Sequence, residues 1–332
     1  MDIQIEKAVL HILDKNASLP VFSQKYVDLD DDNVYKFISN NIKKMYDDVA
    51  TKRGEFDSNS IVLSKIKELT DDNFIDVSVK IAEDLYRIIK ENEDIESGDM
   101  LFAKAKIGEV DILAIIKLNY KEAYTHLADY NDTGVNNRII LHRVIFPLES
   151  VTINEGAVIS LKDYSIRVTE RNYLIDGEKK NYFSDIFLKC KTNLSKKESM
   201  KVINAVAKEV NKKYFDEDFE KIAKVKEAIY EEMSETGTVK VEEIAKRTFE
   251  NNPEIQKEYI EEVQKAGVKP TITFYNEEPE KKFSKHKIKT DNGIELSFPI
   301  EIYKNKDMLE FINNPDGTVS ILIKNVTKII NK

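Results

Sequence analysis

Apolar positions along the chain switch between two periods. The opening DIQIEKAVLHILD alternates at Ile3 and Ile5, continues through Val9, Leu10, Ile12 and Leu13, and reads as a strand. Helical spacing takes over at Val34, Phe37, Ile38, Ile42 and Met45, behind the acidic block DLDDD (28–32) that suits a positive helix N-terminus. Phe74, Val77, Ile81, Leu85 and Ile88 predict a further helix, with Thr70 and Asp71 as its caps. In MLFAKAKIGEVDILAIIKLNY (100–120) two strand-like runs flank IGE at 107–109, with Gly108 as the turn residue of a hairpin. RIILHRVIF (138–146), AVISL (157–161) and YSIRVT (164–169) predict more strands. The first half is therefore α+β, with an antiparallel sheet.

Ser195 followed by Glu198 matches a capping box and predicts a helix start. At 100° per residue, Ile203, Val206, Ala207, Val210 and Tyr214 gather on one side of that helix. Lys197, Lys201, Asn204, Lys208 and Lys212 gather on the opposite side as a stripe. Lys196 and Lys197 stand in the first turn, where the helix dipole disfavours cations unless an anion docks there.

From Asp218 the texture changes. Phe219, Ile222, Val225, Ile229 and Met233 keep helical spacing up to Gly237. Helices over 241–249 and 254–267 follow, then strands at 283–289, 294–303 and 318–324, with NNPDG (313–317) as a turn. The chain divides into an N-terminal α+β domain, 1–216, ending in the basic amphipathic helix, and a C-terminal domain, 217–332, of helices followed by antiparallel strands.

Charge changes this picture. The net charge is -9, yet it is segregated. Lys189 to Lys213 holds eight lysines against two glutamates, a net of +6, and Lys281 to Lys289 holds five lysines and no acid. Acidic blocks such as ENEDIESGD (91–99) carry the opposite excess. Two readings are open. The basic segments grip a polyanion while the remainder repels unwanted contacts, or lysines merely coat solvated helices. At 41% hydrophobic the chain can bury ordinary cores. One cysteine, Cys190, excludes an internal disulfide and fits a reducing cytosol. No basic n-region follows Met1, and the most apolar run, Ile112–Ile116, is far too short for a bilayer, which predicts a soluble cytoplasmic protein with no membrane partner.

Enzyme chemistry finds little support. His11, His126, His142 and His286 hold no metal-ligand spacing, so no metal is expected, and no nucleophile elbow, phosphate-cradling glycine loop or zinc-protease motif is present. No cofactor and no catalytic residue is expected. GEVDILAIIK (108–117) resembles in outline the spaced carboxylates and lysine of metal-dependent nucleases, and Glu109, Asp111 and Lys117 share parity on one face. Ile115 stands where the second carboxylate would have to be, and a half-solvated strand would show the same parity. Residues 238–267 can be drawn as a helix-turn-helix, but the second helix carries four glutamates against two lysines, which opposes a phosphate backbone.

The chain resembles the bacterial nucleoid-associated protein family called NdpA-like. The resemblance rests on HILDK (11–15), LFAKAKIGEVDILAIIKLNY (101–120), RIILHRVIFPLESVTINEGAVISLKDYSIRVTE (138–170), NYFSDIFLKCKTNLSKKESMKVINAV (181–206), IELSFPIEIY (294–303) and GTVSILIKN (317–325). It implies a cytoplasmic, nucleoid-located, DNA-binding protein that is not an enzyme. It carries no contact residues with it. Those come from charge and periodicity: Lys189, Lys191, Lys196, Lys197, Lys201, Lys208 and Lys212, with Lys281, Lys282, Lys285 and Lys287 as a second patch and Arg167 and Arg171 as weaker candidates. Double-stranded DNA is the expected partner, read through phosphates. Self-association as a homodimer would add avidity. The alternative is a protein-interaction factor recruited to the nucleoid by other DNA-handling proteins, without touching DNA itself.

Overall fold

The computed structural model describes residues 2–131, 134–146, 153–216, 218–274 and 285–330. The chain forms two units, Met1–Lys197 and Glu198–Lys332. This division leaves all but the first two residues of the basic helix with the second unit, whereas the sequence reading places that helix at the end of the first domain. The architecture is α+β with a main antiparallel sheet.

In the first unit the strands are β1 (Ile3–Leu13), β2 (Lys52–Phe56), β3 (Gly98–Ile107), β4 (Val110–Asn119), β5 (Lys121–Asn131), β6 (Gly134–Ile145), β7 (Glu155–Ser160), β8 (Ile166–Thr169), β9 (Tyr173–Ile175), β10 (Glu178–Lys180) and β11 (Cys190–Thr192). The helices are α1 (Asp32–Asp47), α2 (Ile61–Lys67) and α3 (Phe74–Glu91), with a π-helical turn at Phe183–Leu188. Seven strands make one sheet in the order β1-β3-β4-β7-β8-β2-β11, and every neighbouring pair is antiparallel.

The pleat explains the unbroken apolar run of β4. Leu113 and Ile115 enter one core with Phe74, Ile81 and Leu85 of α3. Ile112, Ala114 and Ile116 enter a second with Ile38, Ile42 and Met45 of α1. Both faces of this strand are covered, so no polar alternation survives there. A bulge between Ile5 and Lys7 shifts the parity of β1, which carries Ile3 and Ala8 into the same core. Gly108 takes φ +59° in the two-residue turn between β3 and β4, as the hairpin signal requires.

Asp31 caps α1, its carboxylate accepting from the Asn33 amide. At α3 the cap position belongs to Asn73, not to Thr70 or Asp71. Thr70 and Asn73 instead bond each other reciprocally, each side-chain oxygen accepting from the other's amide. Asp71 points elsewhere and pairs with Lys7 and Lys104.

The second unit holds most of α4 (Lys196–Phe215), then α5 (Phe219–Thr236), β12 (Thr238–Lys240), α6 (Val241–Thr248), α7 (Pro253–Lys265) and β13 (Thr271–Thr273), with β12 and β13 paired. Further on lie the hairpin β14 (Lys285–Lys289) and β15 (Glu295–Pro299), the short helix α8 (Ile300–Lys304), and the hairpin β16 (Leu309–Asn313) and β17 (Val319–Ile323). The strand expected over 294–303 thus ends at Pro299, whose ring fixes φ and leads directly into α8. Phe298, Tyr303 and Phe311 cluster there with ring centroids 5.5–6.5 Å apart.

Candidate nucleic-acid interface

α4 forms where the capping-box spacing places it, one residue after Ser195. Its buried side chains include Ile203, Val206, Ala207 and Val210, the apolar set drawn from periodicity. The Tyr259 hydroxyl of α7 donates to the Ile203 carbonyl at 3.3 Å, and the Phe215 and Phe249 rings stack at 5.9 Å. Tyr214 departs from the expectation. It is exposed, and its hydroxyl donates to Glu258 of α7.

Lys197, Lys201, Lys208 and Lys212 are exposed, and Lys196 is half-buried. Among the described residues no carboxylate lies within ion-pairing distance of Lys197, Lys201 or Lys208. The Asn204 amide is turned inward onto the Met200 carbonyl at 2.7 Å, so it belongs to the helix backbone and not to a surface row. Lys213, off the stripe, is held by Glu258 at 2.7 Å, which together with Tyr214 raises its pKa above the usual lysine range. Lys208 contributes to lowering the Lys226 pKa, after burial, so two ammonium groups sit close enough to repel.

The other basic residues divide. Lys189 adopts a left-handed conformation, φ +49°, at the end of the π-helical turn, and its carbonyl accepts from the Asp57 amide at 2.9 Å. Lys191 projects from β11, the last strand of the sheet, with its side chain 87% exposed and Asp57 3.5 Å away. Lys285, Lys287 and Lys289 fall on one face of β14 by strand parity, and Lys285 and Lys287 are exposed. Lys289 pairs with Glu295 at 3.0 Å. Lys281 and Lys282 lie outside the described residues.

Arg167 and Arg171 are engaged inside the first unit. Arg167 lies over the Tyr46 ring at 3.7 Å and donates to the Tyr46 carbonyl at 3.1 Å, and burial lowers its pKa. Arg171 pairs with Glu96 at 2.7 Å and donates to the Tyr173 hydroxyl at 2.7 Å. Both guanidinium groups are spent on internal partners.

Asp111 and Lys117 share one face of β4 by parity, with the buried Leu113 and Ile115 between them, but they are not brought together as a site. Glu109 belongs to the turn before β4, and Asp111 is exposed beside Lys106 at 3.8 Å. Lys117 is fully buried against its cross-strand neighbour Glu155, Nζ to Oε2 2.7 Å, and donates to Asn119 Oδ1 at 2.6 Å. Tyr182 donates to the same carboxylate at 2.7 Å, and Tyr173 donates to its other oxygen. Burial first, then Glu155, holds both phenols above the usual tyrosine range, so they remain donors. The network joins this buried ion pair to two phenol donors and extends to Arg171, 3.7 Å from Glu155. Among the described residues no cluster of three metal-ligating groups occurs.

His11 and Cys190 are core residues. The Ser23 amide donates to His11 Nδ1 at 3.1 Å, which leaves Nε2 to donate to Ser78 Oγ at 2.8 Å, and burial lowers the imidazole pKa to about 4. The Cys190 thiol is pushed up to about 12, by burial first and then by Glu170, Asp185 and Asp57, so it does not supply a thiolate. No helix among the described residues is long and apolar enough to cross a membrane.

Sequence periodicity located α4 but not the polar core. The missed signal is the pair Lys117 and Glu155, each charged within an otherwise apolar strand, a pattern that favours a buried partner over solvent.

The family model described as nucleoid-associated protein YejK matches residues 9–331. A comparison with the curated proteins gave no match.

Proposed function

The chain belongs to the nucleoid-associated protein YejK family, and from that premise we propose that it is a non-catalytic component of the nucleoid that grips duplex DNA through phosphates. The observation that carries this reading is the outward flank of α4, where Lys197, Lys201 and Lys208 stand exposed, with no carboxylate in ion-pairing distance among the described residues, opposite the buried Ile203, Val206, Ala207 and Val210. Lys196 and Lys212 on the same helix, Lys189 and Lys191 on the first unit, and Lys285 and Lys287 on β14, with Lys281 and Lys282 beside them in sequence, complete the proposed set. Counterion release at such a surface supplies affinity with little base readout. The acidic remainder confines the grip to these segments.

Salt-dependent binding to duplex DNA, read by fluorescence anisotropy, tests the proposal. With about six phosphates neutralised, log K falls with log salt at a slope of roughly -5. Lys197→Glu, Lys201→Glu, Lys208→Glu and Lys212→Glu together abolish binding at moderate salt. A flat salt response, or a quadruple variant that binds as well as the parent, removes the stripe from the interface and leaves recruitment through other DNA-handling proteins as the route to the nucleoid.

A further inference from the structure

β5 and β6 do not join the seven-stranded sheet. Among the described residues they pair only with each other, leaving β4 at Asn119 as a two-stranded arm. Side chains on both of its faces are exposed, so the arm is not laid on the body of the unit. Cross-strand partners share a face. One face carries the pairs Tyr124–Leu141, His126–Ile139, Ala128–Asn137 and Tyr130–Val135. The other carries Leu127–Arg138 and Asp129–Asn136, with Arg138 and Asp129 bridged at 2.6 Å.

The first of these faces holds no lysine, arginine or carboxylate over those four pairs. Tyr124 is 76% exposed, Tyr130 80%, Ile139 80% and Val135 60%. An aromatic residue buries about 150–250 Å², so the two tyrosines alone offer roughly 230–390 Å² per arm. A patch of this size is comparable to the largest that a monomer leaves open, which is often functional. A two-stranded ribbon is also marginal alone and gains from a second layer.

We propose that this face packs on the same face of a second copy of the chain, arm against arm, about a two-fold axis. The order of its side chains supports self-pairing. Large rings stand at both ends, Tyr124 near the base and Tyr130 near the tip, with the small Ala128 between them. An antiparallel two-fold sets each Tyr130 over the partner's end of the ribbon that holds Tyr124, as an isologous contact requires. Four tyrosines would then bury roughly 470–780 Å² in total, and Ile139, Val135 and Leu141 carry the contact toward the size of specific interfaces, about 1,200 Å² or more. A polyanion or an anionic bilayer finds no lysine or arginine among those four pairs, the neighbouring Arg143 standing 3.9 Å from Glu122, and a ribbon entering lipid would expose unpaired edge amides.

Sedimentation velocity of the full chain tests the proposal. The parent sediments at twice the 38.3 kDa chain mass. Tyr130→Glu with Ile139→Glu returns it to a single chain, weakening the dimer at least about 100-fold, with an unchanged far-ultraviolet circular dichroism spectrum. Should the glutamates disturb folding, Tyr130→Ser with Ile139→Ser takes their place and shifts the equilibrium in the same direction. A parent that stays monomeric up to about 100 µM overturns the proposal, as does a folded variant that remains dimeric. Binding of a monomeric parent to zwitterionic vesicles, lost on the same substitutions, would assign the face to lipid instead. The quadruple lysine variant of α4 keeps the dimer, which separates this result from the DNA-binding test.

Discussion

Lys117 of β4 and Lys208 of α4 are the same residue type in opposite situations. Lys117 is fully buried, its ammonium held between Glu155 and Asn119, and burial lowers its pKa against the pull of Glu155. Lys208 is exposed, with no carboxylate in ion-pairing distance among the described residues. The first cation is consumed by the fold. The second is available to something outside it. A lysine therefore says little by type, and the element beneath it decides its role. β4 is covered on both faces from Ile112 onward, so a charge placed there must bring its partner along. α4 has one covered stripe, and a charge on the other side meets water at little cost.

The widest separation between these two lysines should appear in stability. Lys117→Met leaves the buried Glu155 carboxylate with two phenol donors and, as its one remaining cation among the described residues, Arg171 at 3.7 Å, and should destabilise the first unit by about 3–5 kcal/mol. Urea unfolding followed by tyrosine fluorescence checks this as a lowered midpoint. If Glu155→Gln is added, the uncompensated charge disappears, and part of the lost stability should return. A double variant no better than Lys117→Met would mean that the pair is not coupled.

His11 sharpens the comparison, because it is buried with no counter-charge at all. Its pKa falls from the ordinary 6.5 to about 4, so the folded state holds it neutral while the unfolded chain accepts a proton. Above pH 6.5 the group costs nothing. As pH falls from 6.5 toward 4 the unfolded state binds the extra proton and stability declines, by about 3 kcal/mol at the low end. His11→Gln, which cannot titrate, should remove that part of the pH dependence, as read from unfolding midpoints between pH 7 and pH 4. An unaltered profile in the variant would place the acid sensitivity in other groups.

The parts of the fold legible in the sequence were those in which one period dominates. The β3–β4 hairpin followed from two runs about Gly108, and α1, α3 and α4 followed from helical spacing. β2, β5 and β11 escaped because KRGEF, KEAYTHLADYN and CKT carry too few apolar residues in alternation. β5 in particular keeps both faces wet, so burial imposes no pattern on it. At the candidate interface, exposure of the lysines was legible from the helical wheel. The engagement of Arg167 by Tyr46 and of Arg171 by Glu96 was not, since those partners lie far away in the chain and only the sheet brings them together. Lys191 met Asp57 in the same way, through the pairing of β11 with β2.

The smallest effect on stability should come from the exposed side of the comparison, and there the readout changes from folding to binding. Lys201→Gln with Lys208→Gln removes two charges but keeps long side chains of good helix propensity. Neither ammonium has an ion pair to lose among the described residues, and one like-charge approach, Lys208 near Lys226, is relieved. The unfolding free energy should stay within about 0.5 kcal/mol of the parent. If the two lysines each neutralise a phosphate, the salt dependence of DNA binding should nevertheless flatten by nearly 2 in slope, at about 0.9 for each phosphate no longer neutralised. The two measurements together isolate the role. Unchanged stability with an unchanged slope would leave these lysines as solvating groups only, and lost stability would place them in the fold beside Lys117.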